Sequence, residues 1–110
     1  MKQRKNLPKF RVVITDIGKK DLQRIKADLR AKLLENLKIL EISPFPTIKP
    51  IKKIKASRNI PLFRLRSGDY RIVFHVRDTT VYVFTVINRK DFDRAIKNVV
   101  KSVEKWIKNI

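Results

Sequence analysis

Between Ile60 and Asn88 the chain reads as three apolar-rich runs, Ile60–Arg66, Asp69–Arg77 and Val81–Asn88, parted only by Ser67-Gly68 and by Asp78-Thr79-Thr80. Gaps that short are turns, and strands joined by turns pair as an antiparallel meander. Side chains along a strand alternate between its two faces. Tyr70, Ile72, Phe74 and Val76 therefore share one face, which is the core, and Arg71, Val73, His75 and Arg77 share the other.

The segments around the meander supply helices and one more strand. Residues 1–8 form a polar start ending in Pro8, and FRVVIT, Phe10 to Thr15, is β-branched enough for a first strand. Thr15 or Asp16 then offers a helix N-cap. From Lys19 to Ile42 the apolar residues Leu22, Ile25, Leu29, Leu33, Leu37 and Leu40 recur at helical spacing, which fits one long helix or a helical hairpin bent near Lys26–Asp28. The three prolines of SPFPTIKP, Ser43 to Pro50, make that stretch a loop. IKKIK, Ile51 to Lys55, is too short to classify. At the C-terminal end Asp91 is a candidate N-cap. Beyond it Phe92, Ile96, Val99, Val100, Val103, Trp106, Ile107 and Ile110 make an apolar stripe opposite Lys97, Lys101, Lys105 and Lys108, the pattern of an amphipathic helix. The expected architecture is a single α/β domain of the α+β kind over residues 1–110, with a core about 10–90 and a C-terminal helix about 91–108.

A hydrophobic share of 43% over 110 residues suits one core and one domain. Charge is the departure from the ordinary: 28 Lys and Arg stand against 10 Asp and Glu, a net +18. So much like charge on a small body costs stability through self-repulsion, and an acidic partner relieves it: nucleic acid, an anionic membrane or an acidic protein. The absence of cysteine excludes a disulfide framework and a thiolate zinc site. The carboxylates are scattered, so no metal or other cofactor is indicated. The N-terminal MKQRKNLPKF lacks the apolar run of a signal peptide, and nowhere do about 18 apolar residues follow one another, so a cytoplasmic protein away from membranes is expected.

A two-residue turn at Ser67-Gly68 sets Leu65 opposite Tyr70, Arg64 opposite Arg71 and Phe63 opposite Ile72. Like charges opposite each other across strands destabilise by roughly 0.2–1 kcal/mol, and an anion between them reverses the sign. A three-residue turn at Asp78–Thr80 places Val83, Thr85, Ile87 and Arg89 on the same basic side. One face of the sheet is then core and the other a concavity lined by Arg64, Arg71 and Arg89. Arg66 and Arg77 flank it. Lys52, Lys53 and Lys55 add attraction without fixed geometry. His75 reads either as a structural histidine or as part of the site.

These residues carry a resemblance. LFRLRSGDYRIVFHV followed by VYVFTVINRKDFDRAI, with a strand and helices ahead of them, resembles the RelE/ParE toxin superfamily over roughly Phe10 to Ile96, in particular the RelE-type messenger-RNA interferases of type II toxin–antitoxin systems. The resemblance implies a RelE-like fold, in which an N-terminal strand and helical hairpin pack on the meander. It also implies an endoribonuclease whose basic face grips messenger RNA at the ribosome, where the 2′-hydroxyl attacks the adjacent phosphorus. A cognate antitoxin would be its protein partner. Arg71 of GDYR looks like the family's strand arginine, Arg64 sits where a basic residue is frequent, and Arg89-Lys90 resemble the late basic segment. On this reading Arg64, Arg71, Arg89, Lys90 and His75 carry catalysis, and Lys53, Lys55, Arg66 and Arg77 bind RNA.

Two positions depart from the family pattern. Asn88 stands where many relatives have histidine, and Phe92 and Asp93 occupy the region of a late tyrosine. Guanidinium cannot act as a general base near neutral pH, so His75, Asp91, Asp93 or a lysine of lowered pKa, Lys90, would have to serve. A ParE-like inhibitor of DNA gyrase and a non-catalytic nucleic-acid-binding relative are the alternatives. A C-terminal helix folded over the basic face would gate it, and deletion after Arg94 would then raise RNA affinity.

Overall fold

Residues 9–109 are described by a computed structural model; the polar start at 1–8 and Ile110 lie outside them. Along the chain run β1 (Arg11–Ile14), α1 (Asp16–Gln23), α2 (Ala27–Leu37), α3 (Ile39–Ile42), β2 (Ile51–Lys53), β3 (Phe63–Ser67), β4 (Tyr70–Arg77), β5 (Thr80–Asn88) and α4 (Arg89–Ile107). The strands form one five-stranded sheet in the order β1-β5-β4-β3-β2. β2 to β5 are an antiparallel meander, so IKKIK contributes its first strand, and β1 joins the far edge parallel to β5. The helical segment carries the chain from β1 at one edge of the sheet to β2 at the other, and the meander then returns so that β5 lies beside β1.

The helical stretch breaks just ahead of the predicted bend. Arg24, Ile25 and Lys26 separate α1 from α2, and Arg30 of α2 reaches back to donate to the Leu22 and Ile25 carbonyls at 3.4 Å each, which satisfies the end of α1. The apolar residues at helical spacing then fall on one side. Leu22, Leu33, Leu37 and Leu40 are buried against Leu65, Ile72, Phe74, Val81, Val83 and Val86, the first of two cores.

Both turns of the meander hold two residues. Ser67 pairs with Tyr70, so Gly68 and Asp69 make the first turn, with Gly68 at φ 58° in the position that requires it. Arg77 pairs with Thr80, so Asp78 and Thr79 make the second. Moving the first turn by one residue shifts the predicted register of β3 on β4 by two. Arg66, not Arg64, faces Arg71, and Arg64 faces Val73.

A bulge interrupts β5, because Val73 pairs with Thr85 while Phe74 pairs with Val83, leaving Phe84 as the extra residue. The bulge changes which face the β5 side chains take, so Val83 packs in the first core and not on the basic side as predicted. The start of α1 seals this irregularity. Thr15 caps α1 by accepting from the Gly18 amide at 3.2 Å, and its hydroxyl donates to the Phe84 carbonyl at 2.8 Å. Asp21 accepts from the Thr85 hydroxyl and, at 3.0 Å, from the Val86 amide. A Cβ on Gly18 would lie 3.2 Å from the Val83 carbonyl oxygen, so glycine permits the close approach of α1 to β5.

The second sheet face is not open along its length. α4 lies across it and buries Ile96, Val100, Val103 and Ile107 against Ile54, Leu62, Val73 and Phe84. Trp106 meets Tyr82 and Phe84 edge to face, with ring centroids 5.4 and 5.9 Å apart. Fully burying an aliphatic side chain stabilises by about 1.5–3 kcal/mol, so these four residues of α4 contribute roughly 6–12 kcal/mol, comparable to the whole stability of a small domain. The helix is therefore a structural wall and not a detachable gate. Its cap is Asn88, whose side chain accepts from the Lys90 amide at 3.0 Å; Asp91 sits inside the first turn and pairs with Arg94 at 2.6 Å. Among the described residues no helix is long and apolar enough to cross a membrane.

Candidate nucleic-acid interface

Where α4 begins, the sheet emerges from under it, and there the arginines collect. Arg66 and Arg71 are directly opposed across β3 and β4. Arg64 lies two residues along β3 on the same face, opposite Lys52 of β2. Arg89 opens α4, held at the turn by its amide, which donates to the Asp69 carbonyl at 2.6 Å. Its guanidinium stands 4.0 Å from the Asp69 carboxylate, an exposed pairing of little energetic weight.

Arg71 is the centre of this group. Its guanidinium folds back to donate to the Gly68 carbonyl at 3.1 Å and the Tyr70 carbonyl at 3.0 Å, which fixes its position on the turn. Partial burial, followed by the charges of Arg64, Arg89 and Arg66, pushes its pKa down from the usual arginine value; Asp69 opposes them weakly. The same three positive charges would favour an anion that entered. A cleft of about 180 Å3 opens beside it, lined by Lys49, Pro50, Lys52, Arg64, Arg66 and Arg71. Next to it lies a larger cleft of about 360 Å3, where Lys52, Lys53, Lys55 and Arg64 meet Phe92 and Asp93 from α4. The Arg64 guanidinium carbon lies 5.5 Å from the Phe92 ring centroid, a cation–π contact that holds the side chain over the first turn of α4.

The structure thus brings together Arg64, Arg66, Arg71 and Arg89, with Lys53 and Lys55 in the adjoining cleft. Lys90 is exposed on the first turn of α4. His75 does not join them: it is buried, with Nδ1 3.0 Å from the Pro61 carbonyl oxygen. Arg77 lies at the other end of β4, six residues from Arg71 and so about 20 Å along the strand. Two contributors escaped the sequence reading. Lys49 reaches the first cleft because the Pro50 carbonyl accepts the Arg66 amide at 2.9 Å and draws the loop alongside β3. Phe92 is a member of the apolar stripe that also supports an arginine. Only the register of β2, set in a segment too short to classify, could have signalled the first.

A five-stranded sheet walled by helices on one face and by a single C-terminal helix on the other is the RelE-like fold. Over residues 12–92 the sequence matches the family model of the ParE toxin of type II toxin-antitoxin system, parDE. The chain belongs to this family, within the RelE/ParE superfamily of toxins. Among solved structures it is similar to the archaeal RelE–RelB complex from Pyrococcus horikoshii, at 30% identity over 74% of this chain and 96% of that one, with a TM-score of 0.62. It is also similar to the toxin–antitoxin complex RelBE2 from Mycobacterium tuberculosis, at 25% identity over 77% and 97% of the two chains and a TM-score of 0.63. The RelB–RelE antitoxin–toxin complex from Methanococcus jannaschii follows at 26% identity over 74% and 95%, with a TM-score of 0.58. Curated protein sequences contain no significant match.

Proposed function

We propose that this toxin binds RNA across the arginine cluster and cleaves messenger RNA in the cytoplasm, as a RelE-type interferase held in check by a cognate antitoxin. The observation that carries the reading is the convergence of Arg64, Arg66 and Arg89 on Arg71, whose pKa is lowered by partial burial first and then by their charges. That arrangement costs stability in the free protein and becomes favourable around a phosphate. Guanidinium is planar, permanently charged and able to donate to two phosphate oxygens at once, which suits it to the charge that develops on phosphorus during transfer.

In this reading the RNA 2′-hydroxyl gives up its proton as its oxygen bonds to the adjacent phosphorus, and the bond to the 5′-oxygen breaks as that oxygen takes a proton. Asp93 lies in the cleft with Arg64 and Lys53, whereas His75 is turned to the Pro61 carbonyl and Asp91 to Arg94. Asp93 takes the base role and a cleft lysine gives the leaving oxygen its proton. Antitoxin binding is supported by the relatives crystallised with RelB partners, and an acidic segment would neutralise part of the +18.

The test is induction of wild type, Arg71→Ala and Asp93→Asn side by side in a bacterial host, with message ends mapped as growth is followed. New cuts within translated messages, lost in Arg71→Ala and reduced in Asp93→Asn, are expected. Intact messages during growth arrest would overturn the reading and leave gyrase inhibition, which the match to a ParE model favours. A supercoiling assay with excess toxin then decides.

A further inference from the structure

The two clefts at the arginine cluster are the start of a longer feature. They share Lys52 and Arg64 as common walls. A third cleft, of about 360 Å3, shares Lys55 and Ala56 with the second and continues along α4, lined by Arg58, Lys97, Val100, Lys101 and Glu104. The first lies over β2, β3 and β4, and the second and third follow it down the seam between α4 and the segment joining β2 to β3. Cations dominate the seam, with Asp93 and Glu104 as its acidic members.

The far wall of the seam is built, not loose. The Ile54 amide donates to the Leu62 carbonyl at 2.8 Å, the Ser57 amide donates to the Ile54 carbonyl at 3.2 Å, and the Ser57 hydroxyl donates to the Ile60 carbonyl. Ser57 is buried, and Ile54 and Leu62 are anchored in the core beneath α4. Lys55 and Arg58 are therefore presented on a fixed loop, opposite Lys97 and Lys101 one helical turn apart on α4. Two rows of cations face each other over a continuous groove. An isolated patch on a solvated helix face would have neither the second row nor the continuity.

We infer that this seam is an extended track for single-stranded RNA, leading from the arginine cluster along α4 to Arg58 and Lys101. The inference rests on the RNA reading of the cluster and adds a direction and a length to it. From Phe92 to Lys101 the helix rises about 14 Å, and Arg64 to Arg66 adds about 7 Å of strand, so the track runs roughly 20 Å and spans several nucleotides. The geometry suits a polyanion with exposed bases: lysines and arginines on both walls meet phosphates, while Phe92 and Ile96 in the floor of the middle cleft offer apolar contact to a base.

The experiment uses the full chain with 2′-O-methyl oligouridines of three and twelve units, which lack the attacking hydroxyl, and measures affinity against salt for wild type, Arg71→Ala and the triple variant Arg58→Gln, Lys97→Gln, Lys101→Gln. All three substituted positions are exposed, and an unchanged thermal midpoint establishes that the triple variant is folded. The wild type is expected to bind the twelve-unit probe more tightly than the three-unit one. In the triple variant the longer probe loses about 10- to 100-fold near 0.1 M salt and its salt slope falls by about 2, from about 0.7 per lost phosphate contact. Its binding of the three-unit probe stays the same, and Arg71→Ala weakens both probes.

If the triple variant binds the twelve-unit probe as wild type does while Arg71→Ala still weakens it, the track is wrong and the RNA reading stands. If neither probe binds wild type with salt-dependent affinity, the RNA reading itself fails. Polyglutamate of matched charge that displaces the longer probe and binds as tightly, again only with the three cations present, would show an acidic polypeptide as the occupant and overturn RNA.

Discussion

Arg66 and Arg71 oppose each other across β3 and β4, and a double-mutant cycle on the pair should reveal a repulsion in the free protein. Opposed Cβ atoms in an antiparallel pair lie about 5 Å apart. Two unit charges about 6 Å apart in water repel by about 0.7 kcal/mol. That value falls inside the roughly 0.2–1 kcal/mol known for like charges opposed across strands. Arg71→Gln alone mixes this relief with the lost donation to the Gly68 and Tyr70 carbonyls, whereas the cycle cancels what each substitution does by itself. The assay is urea unfolding of wild type, Arg66→Gln, Arg71→Gln and the double variant. Relief appears in each single variant but only once in the double, so the double should fall short of the summed singles by about 0.7 kcal/mol at low salt. At about 1 M salt the Debye length is about 3 Å and the shortfall should shrink to roughly 0.1 kcal/mol. Burial first, then Arg64, Arg89 and Arg66, lowers the folded-state pKa of Arg71. For a base so shifted the penalty is complete at every pH below the folded pKa and is relieved only as pH rises through it, in strong alkali. The coupling should therefore be flat between about pH 5 and 9. A coupling of zero, or an attractive one, at low salt would refute the claim that the cluster is strained without an anion.

Two further outcomes follow from the packing. Asp21→Ala removes the acceptor for the Thr85 hydroxyl and the Val86 amide at the β5 bulge and should cost about 1–3 kcal/mol in denaturant unfolding, with Asp21→Asn recovering much of the loss because it keeps an oxygen there. Deletion after Arg94 removes the buried residues of α4 and should abolish the cooperative thermal transition seen by circular dichroism; a folded truncation with raised RNA affinity would restore the helix to the role of a gate.

Much of the frame is legible in the sequence because the meander is dense in β-branched residues and its turns carry Gly68 and Asp78, the residues that adopt positive φ in the structure. Period-two alternation placed Tyr70, Ile72, Phe74 and Val76 on the face that packs in the first core. Register is less legible. Ser67-Gly68 and Gly68-Asp69 are both chemically acceptable two-residue turns, and choosing between them exchanges Arg64 for Arg66 as the partner of Arg71. The bulge is invisible for a related reason: what stabilises it is α1, more than sixty residues earlier, through Thr15 and Asp21. Alternation alone therefore misplaced Val83. Strand parity puts His75 on the arginine face, which it does share, but it is buried there with Nδ1 against the Pro61 carbonyl.

The division of the second sheet face explains how a chain with net +18 can both fold and keep a concentrated cationic site. Val73, Phe84, Leu62 and Ile54 need cover, and the apolar stripe of α4 supplies it while its lysines stay outward. Because α4 starts at Arg89, immediately after β5, it can only run back along the face from the Arg71 end toward Tyr82, so the first turn of the helix marks the limit of cover. The residues just beyond that limit are Arg64, Arg66 and Arg71, which the apolar stripe of the helix does not bury. The connectivity that completes the second core thus also leaves the basic end of the sheet exposed, and the lysines on the outer side of the helix extend that basic surface along its length. Stability comes from the apolar side of α4 and attraction for an anion from its rim, so charge can be removed from Lys97 or Lys101 without opening the core.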